Sequence, residues 1–136
     1  MKKLALLLII ASILYGCSKE NFMSAKFKGI WEYENHFGYP FNNNYLPPGN
    51  GNIIALSADG SYERRKHDTV IFKGQFQLKT QRDCYGSERK VHFTTNDTTF
   101  NWDSYVEIDN SGKLVFTSPN CYADGGSTYY IKIADN

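Results

Sequence analysis

The chain has 136 residues, with 15 Lys and Arg against 14 Asp and Glu. That length fits a single domain. A charge balance this close to neutral gives no electrostatic basis for binding nucleic acid. The basic cluster Arg64-Arg65-Lys66 is interpreted as a solvated strand end, with a phosphate-binding patch as the alternative.

The first 16 residues have the layout of an export signal. Lys2 and Lys3 precede an apolar run from Leu4 to Leu14, and Tyr15-Gly16-Cys17 follows it. The run is shorter than the roughly 20 residues that a membrane-spanning helix needs. It therefore predicts a cleaved N-terminal signal helix over residues 1–16. A buried helix of the fold is the alternative, but the composition changes abruptly at Ser18.

Leu14-Tyr15-Gly16-Cys17 resembles the lipobox of bacterial lipoproteins. The resemblance implies that Cys17 is lipidated and becomes the first residue of the mature protein. Residues 17–26 are then the lipidated cysteine and a polar tether, and residues 27–136 are the folded domain. The expected location is the bacterial cell envelope, anchored in the outer membrane through Cys17, with the periplasmic or surface face left open.

From Phe27 onward, short β-branched and aromatic runs alternate with Gly, Asn, Asp and Pro, which is the pattern of an all-β domain. Eight strands are predicted, at residues 27–35, 52–57, 61–67, 70–80, 89–95, 104–108, 113–118 and 128–134. In the fourth, the alternation places Val70, Phe72, Phe76 and Leu78 on the inner face. Gly74 lies between them, where a missing side chain lets the strand bend or another segment approach. In the last strand, Tyr129, Ile131 and Ile133 are predicted to share one face.

About eight antiparallel strands joined mostly by hairpins predict a small up-and-down β-barrel. Closure would also remove the exposed edges of an open sheet. A β-sandwich stays open as an alternative, because alternation alone does not separate one closed sheet from two packed sheets.

Two cysteines remain besides Cys17. Cys84 and Cys121 are predicted to form a disulfide, which an exported compartment permits. On the chain-entropy model such a bridge would stabilise the domain by roughly 4 kcal/mol. Two free thiols or a metal-binding pair are the alternatives.

Several short motifs together resemble the lipocalin-like lipoproteins of Bacteroidetes. They are Gly29-Ile30-Trp31, Leu56-x-x-Asp59-Gly60-x-Tyr62, Gly74-x-Phe76-x-Leu78 and Tyr129-Tyr130-Ile131-Lys132-Ile133. The resemblance implies that Trp31 closes one end of the barrel and that Lys132 stacks on it, a cation–π contact of about 0.5 to 2 kcal/mol. An ordinary core aromatic is the alternative role for Trp31.

The sequence offers little catalytic chemistry, and we expect a non-enzymatic protein without cofactors. His36, His67 and His92 lie in different predicted elements without ligand spacing, so no metal site is predicted. No nucleophile elbow, phosphate-cradling loop or zinc-protease motif occurs. Carboxylates such as Asp59, Asp109 and Asp124 lie in turn sequences, where they accept backbone hydrogen bonds.

The connection from Asn35 to Gly51 is rich in aromatic residues and longer than joining two strands requires. Loops of this length in compact domains often have a function. Within a lipocalin-like barrel it would lie over the open mouth; the alternative is a loop that packs its own aromatics on the rim.

The leading hypothesis is a lipid-anchored module that binds a small apolar or amphipathic ligand. The alternative is a protein-interaction or inhibitor lipoprotein that presents this loop to an envelope protein. The candidate ligand-binding residues are Phe37, Tyr39, Phe41, Tyr45 and Tyr62. Core filling is the alternative role for Tyr62.

Overall fold

A computed structural model describes residues 24–38, 43–83, 86, 89–97, 103–119 and 125–136. Within these ranges eight strands follow one another: β1 Gly29–Gly38, β2 Asn52–Leu56, β3 Ser61–Lys66, β4 Thr69–Arg82, β5 Arg89–Thr95, β6 Ser104–Ile108, β7 Leu114–Thr117 and β8 Gly126–Ala134. Each strand pairs antiparallel with its neighbours in sequence, and β1 also pairs with β8. The single sheet therefore closes as a barrel, and the prediction of an all-β antiparallel fold of eight strands is confirmed. Within the described ranges, no helix has the length and apolar character needed to cross a membrane.

One end of the barrel is built around Trp31. A helical turn at residues 24–27 precedes β1, and the Trp31 Nε1–H donates to the Phe27 carbonyl at 2.9 Å. Phe27 and Trp31 are both buried. The packed domain thus includes residues from Ser24 onward, within the range predicted as tether.

Gly29 explains the spacing of the Gly-x-Trp motif. Its φ is +152°, and an added Cβ would lie 2.7 Å from Lys132 Cε and 3.1 Å from Trp31 Nε1. Because no side chain stands there, Lys132 reaches across and places its Nζ 5.6 Å from the centre of the Trp31 ring. The cation–π contact that the resemblance implies is therefore present.

A continuous series of aromatic contacts crosses the barrel interior. Phe76 stacks on Phe93 at 5.2 Å, and Phe93 meets Phe116 edge-on at 5.0 Å. Phe116 then contacts Tyr130 at 5.8 Å, and Tyr130 contacts Tyr33 at 5.9 Å, both edge-on. Such pairs stabilise a core by about 0.5–1.5 kcal/mol each beyond their buried area. This series joins β4, β5, β7, β8 and β1 into one core.

Gly74 in β4 provides a close approach of another segment, as its position predicts. A Cβ there would lie 2.3 Å from Asn96 Oδ1 and 2.5 Å from Phe72 Cε1. Asn96 follows β5, and its Oδ1 accepts the Gln75 amide at 2.9 Å. The Asn96 side chain therefore packs against β4 at the one position of that strand without a side chain.

Register irregularities in two strands decide which of their side chains face inward. In β4, a register irregularity opposite Arg64 and Arg65 pairs Arg65 with Val70 and leaves Val70 exposed. In β8, Tyr130 is buried and Lys132 pairs with Trp31, whereas Ile133 is exposed. Predicting Val70 on the inner face was wrong. In β8 the residue that enters the core is Tyr130, which is not part of the predicted row of Tyr129, Ile131 and Ile133. The irregularities between β1 and β8, and between β3 and β4, add residues that shift the alternation by one.

Candidate functional site

A cavity of about 610 Å³ occupies the barrel end opposite Trp31. Its apolar walls come from aliphatic side chains and from the aromatic series: Leu46, Ile53, Ile54, Ile71 and Phe116. Its polar groups are Tyr33, His36, Asn44, Asn52, Arg64, Arg65, Ser104, Ser118, Thr128 and Tyr130. A volume of roughly 300–1,000 Å³ that combines apolar walls with convergent polar groups is typical of small-molecule sites, and the polar side chains are numerous in this one.

The connection after β1 forms one wall of this cavity. The Asn44 amide donates to the His36 carbonyl at 3.1 Å, and the Leu46 amide donates to the Glu34 carbonyl at 2.8 Å. Residues 44–46 therefore lie beside the upper half of β1, where β2 does not pair with it. Alternation along this segment turns Asn44 and Leu46 to the cavity and leaves Tyr45 exposed.

The buried carboxylate of Glu32 holds the same connection from below. Its two oxygens accept the Gly49 amide at 2.8 Å and the Gly51 amide at 2.9 Å. Since hydrogen bonds to a charged acceptor are the stronger ones, this carboxylate fixes the second half of the loop against β1. Sequence reasoning gave Glu32 no role.

A buried charge pair lies beside the cavity. Arg64 Nε is 3.0 Å from Asp97 Oδ2, and the side-chain exposures are 12% and 0%. The Tyr62 hydroxyl donates to the same Asp97 oxygen at 2.8 Å. Burial and the hydrogen bond to Asp97 raise the pKa of Tyr62 well above its usual value, so its hydroxyl stays protonated. Interpreting Arg64 as part of a solvated strand end was wrong: it faces the interior.

The other polar groups of the cavity are hydroxyl, amide and imidazole groups. Burial raises the pKa of Tyr33 and, more strongly, of Tyr130, so both phenols remain neutral donors around neutral pH. The Tyr33 hydroxyl donates to the Asn44 carbonyl at 2.7 Å. His36 Nδ1 lies 2.9 Å from Thr128 Oγ1. The cavity can therefore offer both donors and acceptors to an uncharged polar group.

The structure places the predicted ligand residues differently from the cavity lining. Phe37 and Tyr45 are 66% and 56% exposed and lie outside the lining. Their neighbours His36, Asn44 and Leu46 face inward instead, because side chains alternate. Tyr62 is buried and supports Asp97 from below rather than lining the cavity.

Some predicted site residues lie outside the described part of the chain. They are Tyr39 and Phe41 of the aromatic loop, Cys17 of the lipobox, and Cys84 and Cys121 of the predicted disulfide.

Other titratable residues that the sequence singles out make contacts that support the fold. Within the described ranges, no group of three or more His, Cys, Asp or Glu side chains converges as metal ligands would. His92 Nε2 contacts Asp103 Oδ1 on the outside of the barrel. The predicted turn roles of Asp59 and Asp109 are confirmed, since each accepts the amide two positions on, at 2.9 and 2.8 Å. Asp124 lies outside the described residues.

Comparisons of the chain with protein-family models, with curated proteins and with solved structures return no match.

Proposed function

We propose that this protein is a lipid-anchored, lipocalin-like envelope module that binds a small amphipathic ligand inside its barrel. One observation carries the proposal: the cavity of about 610 Å³ at the end opposite Trp31. Each ligand methylene buried against Leu46, Ile54 and Phe116 would contribute about 0.8 kcal/mol. The tyrosine and serine hydroxyls would orient the polar end of the ligand.

Lipid attachment at Cys17 is part of the same proposal. Ser24 and Phe27 pack at the Trp31 end of the barrel, and Cys17 precedes Ser24 by seven positions. Seven extended residues reach about 25 Å at most. An anchored barrel would therefore keep its Trp31 end near the membrane surface and its cavity mouth farther from it. A Cys84–Cys121 bridge is also proposed, and the mass gained on reducing and alkylating the protein would report it.

Binding of a fluorescent probe tests the ligand site. The neutral apolar dye N-phenyl-1-naphthylamine should brighten on binding, and Ser118→Trp, which fills the mouth from the end of β7, should weaken its binding by about tenfold or more. Lys79→Trp, which adds the same side chain on the exposed face of β4, should leave binding unchanged. Circular dichroism checks that both variants fold. Equal binding by the two variants, or none by the unaltered protein, would remove the proposed site.

A protein-interaction role is the second candidate. It is favoured by the exposure of Phe37 and Tyr45 on the outer side of the loop, since exposed aromatics are common at protein interfaces. Native mass spectrometry of the protein purified from its own envelope separates the two functions. A retained small molecule supports the first. A stoichiometric protein partner that is lost in the Phe37→Ser, Tyr45→Ser double variant supports the second.

A further inference from the structure

The two arginines that line the cavity each contact a carboxylate. Among the described residues that line it, the side chains with a fixed charge are Arg64 and Arg65. Arg64 pairs with Asp97 at 3.0 Å, and Arg65 pairs with Glu63 at 2.5 Å. Arg64 therefore has a buried carboxylate of its own, whereas the Glu63 carboxylate is shared between Arg65 and Lys73, whose Nζ lies 3.1 Å from it. The Arg65 side chain is 36% exposed, so water also hydrates its charge. His36, the remaining titratable lining group besides the tyrosines, contacts the uncharged Thr128 hydroxyl.

We infer that the cavity selects uncharged amphipathic ligands bearing a hydroxyl or carbonyl group, and rejects carboxylates and other anions of the same chain length. This inference rests on the proposed ligand-binding function. A ligand carboxylate that enters the cavity loses hydration, which is costly. Arg64, the buried arginine of the lining, already has the buried Asp97 carboxylate beside it and gives little in return. A ligand hydroxyl meets neutral partners in Tyr33, Ser104 and Ser118.

Displacing Asp97 from Arg64 would not remove this cost. The Asp97 side chain is fully buried, and the Tyr62 hydroxyl donates to the same oxygen that faces Arg64. An entering anion would have to break the contact with Arg64 and leave the Asp97 charge in the interior with the Tyr62 hydroxyl but without its arginine. Removing one partner of a buried charge pair is strongly destabilising for this reason. Asp97 thus acts as a built-in counter-ion that keeps the site neutral.

Two probes with the same alkyl chain test the inference on the processed, envelope-purified protein. 1-Dodecanol and dodecanoate are each titrated against bound N-phenyl-1-naphthylamine at about pH 8, where the carboxylate is ionised. We expect dodecanol to displace the dye at a concentration about tenfold lower or less. Equal or tighter binding of dodecanoate overturns the inference and leaves ligand binding intact. If neither probe displaces the dye, or the dye itself does not bind, the proposed function fails together with the inference.

Two variants assign the selectivity to the charge pair. Asp97→Asn keeps an acceptor for Tyr62 but leaves Arg64 unbalanced, so dodecanoate should gain about tenfold in affinity while dodecanol changes little. The double variant Arg64→Gln, Asp97→Asn is neutral again and should restore the preference for dodecanol. If a folded Asp97→Asn protein shows no gain for dodecanoate, the assignment is overturned. If Asp97→Asn does not fold, the ligand preference of the double variant is compared with that of the unaltered protein. A double variant that prefers dodecanoate overturns the assignment.

Discussion

Replacing Glu32 by Gln tests whether one buried carboxylate holds the loop that forms the cavity wall. Glu32 is 4% exposed and accepts the Gly49 and Gly51 amides through its two oxygens. A glutamine has one oxygen, and its NH₂ group would face the second amide donor. Hydrogen bonds to charged groups contribute about 1.5–3 kcal/mol. We expect Glu32→Gln to lower the free energy of unfolding by about that amount.

Glu34→Gln is the matched control, because the same substitution is made two positions along the same strand. Glu34 pairs with Lys113 at 2.6 Å, and the lysine side chain is 33% exposed. Ion pairs accessible to solvent contribute about 0.2–1 kcal/mol, so this variant should lose little. Urea unfolding followed by tryptophan fluorescence measures both variants, and hydrogen exchange reports the Gly49 and Gly51 amides. Equal losses of stability, or unchanged exchange at both glycines in Glu32→Gln, would refute the reasoning.

Two further predictions concern a close approach and a turn. Gly74→Val places side-chain atoms where Asn96 and Phe72 lie, so overpacking should lower the stability measured in thermal melts by about 1–3 kcal/mol. Lys79→Val, on the exposed face of β4, is the control and should lower stability much less. An equal loss in the two variants would contradict the packing argument. Hydrogen bonds from the Ser111 hydroxyl and the Lys113 amide lower the pKa of Asp109. Its carboxylate therefore stabilises the fold above its unfolded pKa of about 3.9, and this contribution is lost as the pH falls through the lower folded pKa. Urea midpoints should fall less steeply on acidification in Asp109→Asn than in the unaltered protein, and identical slopes would show that the carboxylate contributes nothing.

The strands could be predicted from the sequence because each is a short β-branched or aromatic run bounded by turn residues. The Ala58-Asp59-Gly60 turn, for example, carries both a hydrogen-bonding carboxylate and a glycine with φ of +84°. Which side chains face inward was harder to predict where a strand contains an irregularity. The one in β4, where Ile71 is the extra residue opposite Arg64 and Arg65, turns Val70 outward, although simple alternation places Val70 with Phe72. Nothing in the local sequence marks that extra residue.

The cavity lining was missed for a related reason. The prediction gave the aromatic loop its function through its largest side chains, Phe37 and Tyr45, which the alternation turns outward. The smaller Asn44 and Leu46 form the wall instead. In β3, the alternation that buries Tyr62 also places Arg64 inside, and that signal was available in the sequence. The predicted solvated strand end follows instead from the rule that arginine is mostly exposed.

Asp97, the residue whose charge stabilises Arg64 in the interior, could not be predicted from the sequence near Arg64. Asp97 lies beyond β5, 35 positions after Tyr62, and contacts both side chains directly after Asn96, which packs against Gly74 of β4. Stability alone gives no reason for such a pair, since apolar residues of similar volume are often as good or better in a core. A cavity that must stay polar and uncharged does give a reason for an arginine–aspartate pair in the interior. The arginine keeps donors near the ligand space, the aspartate cancels its charge, and the tyrosine fixes the aspartate.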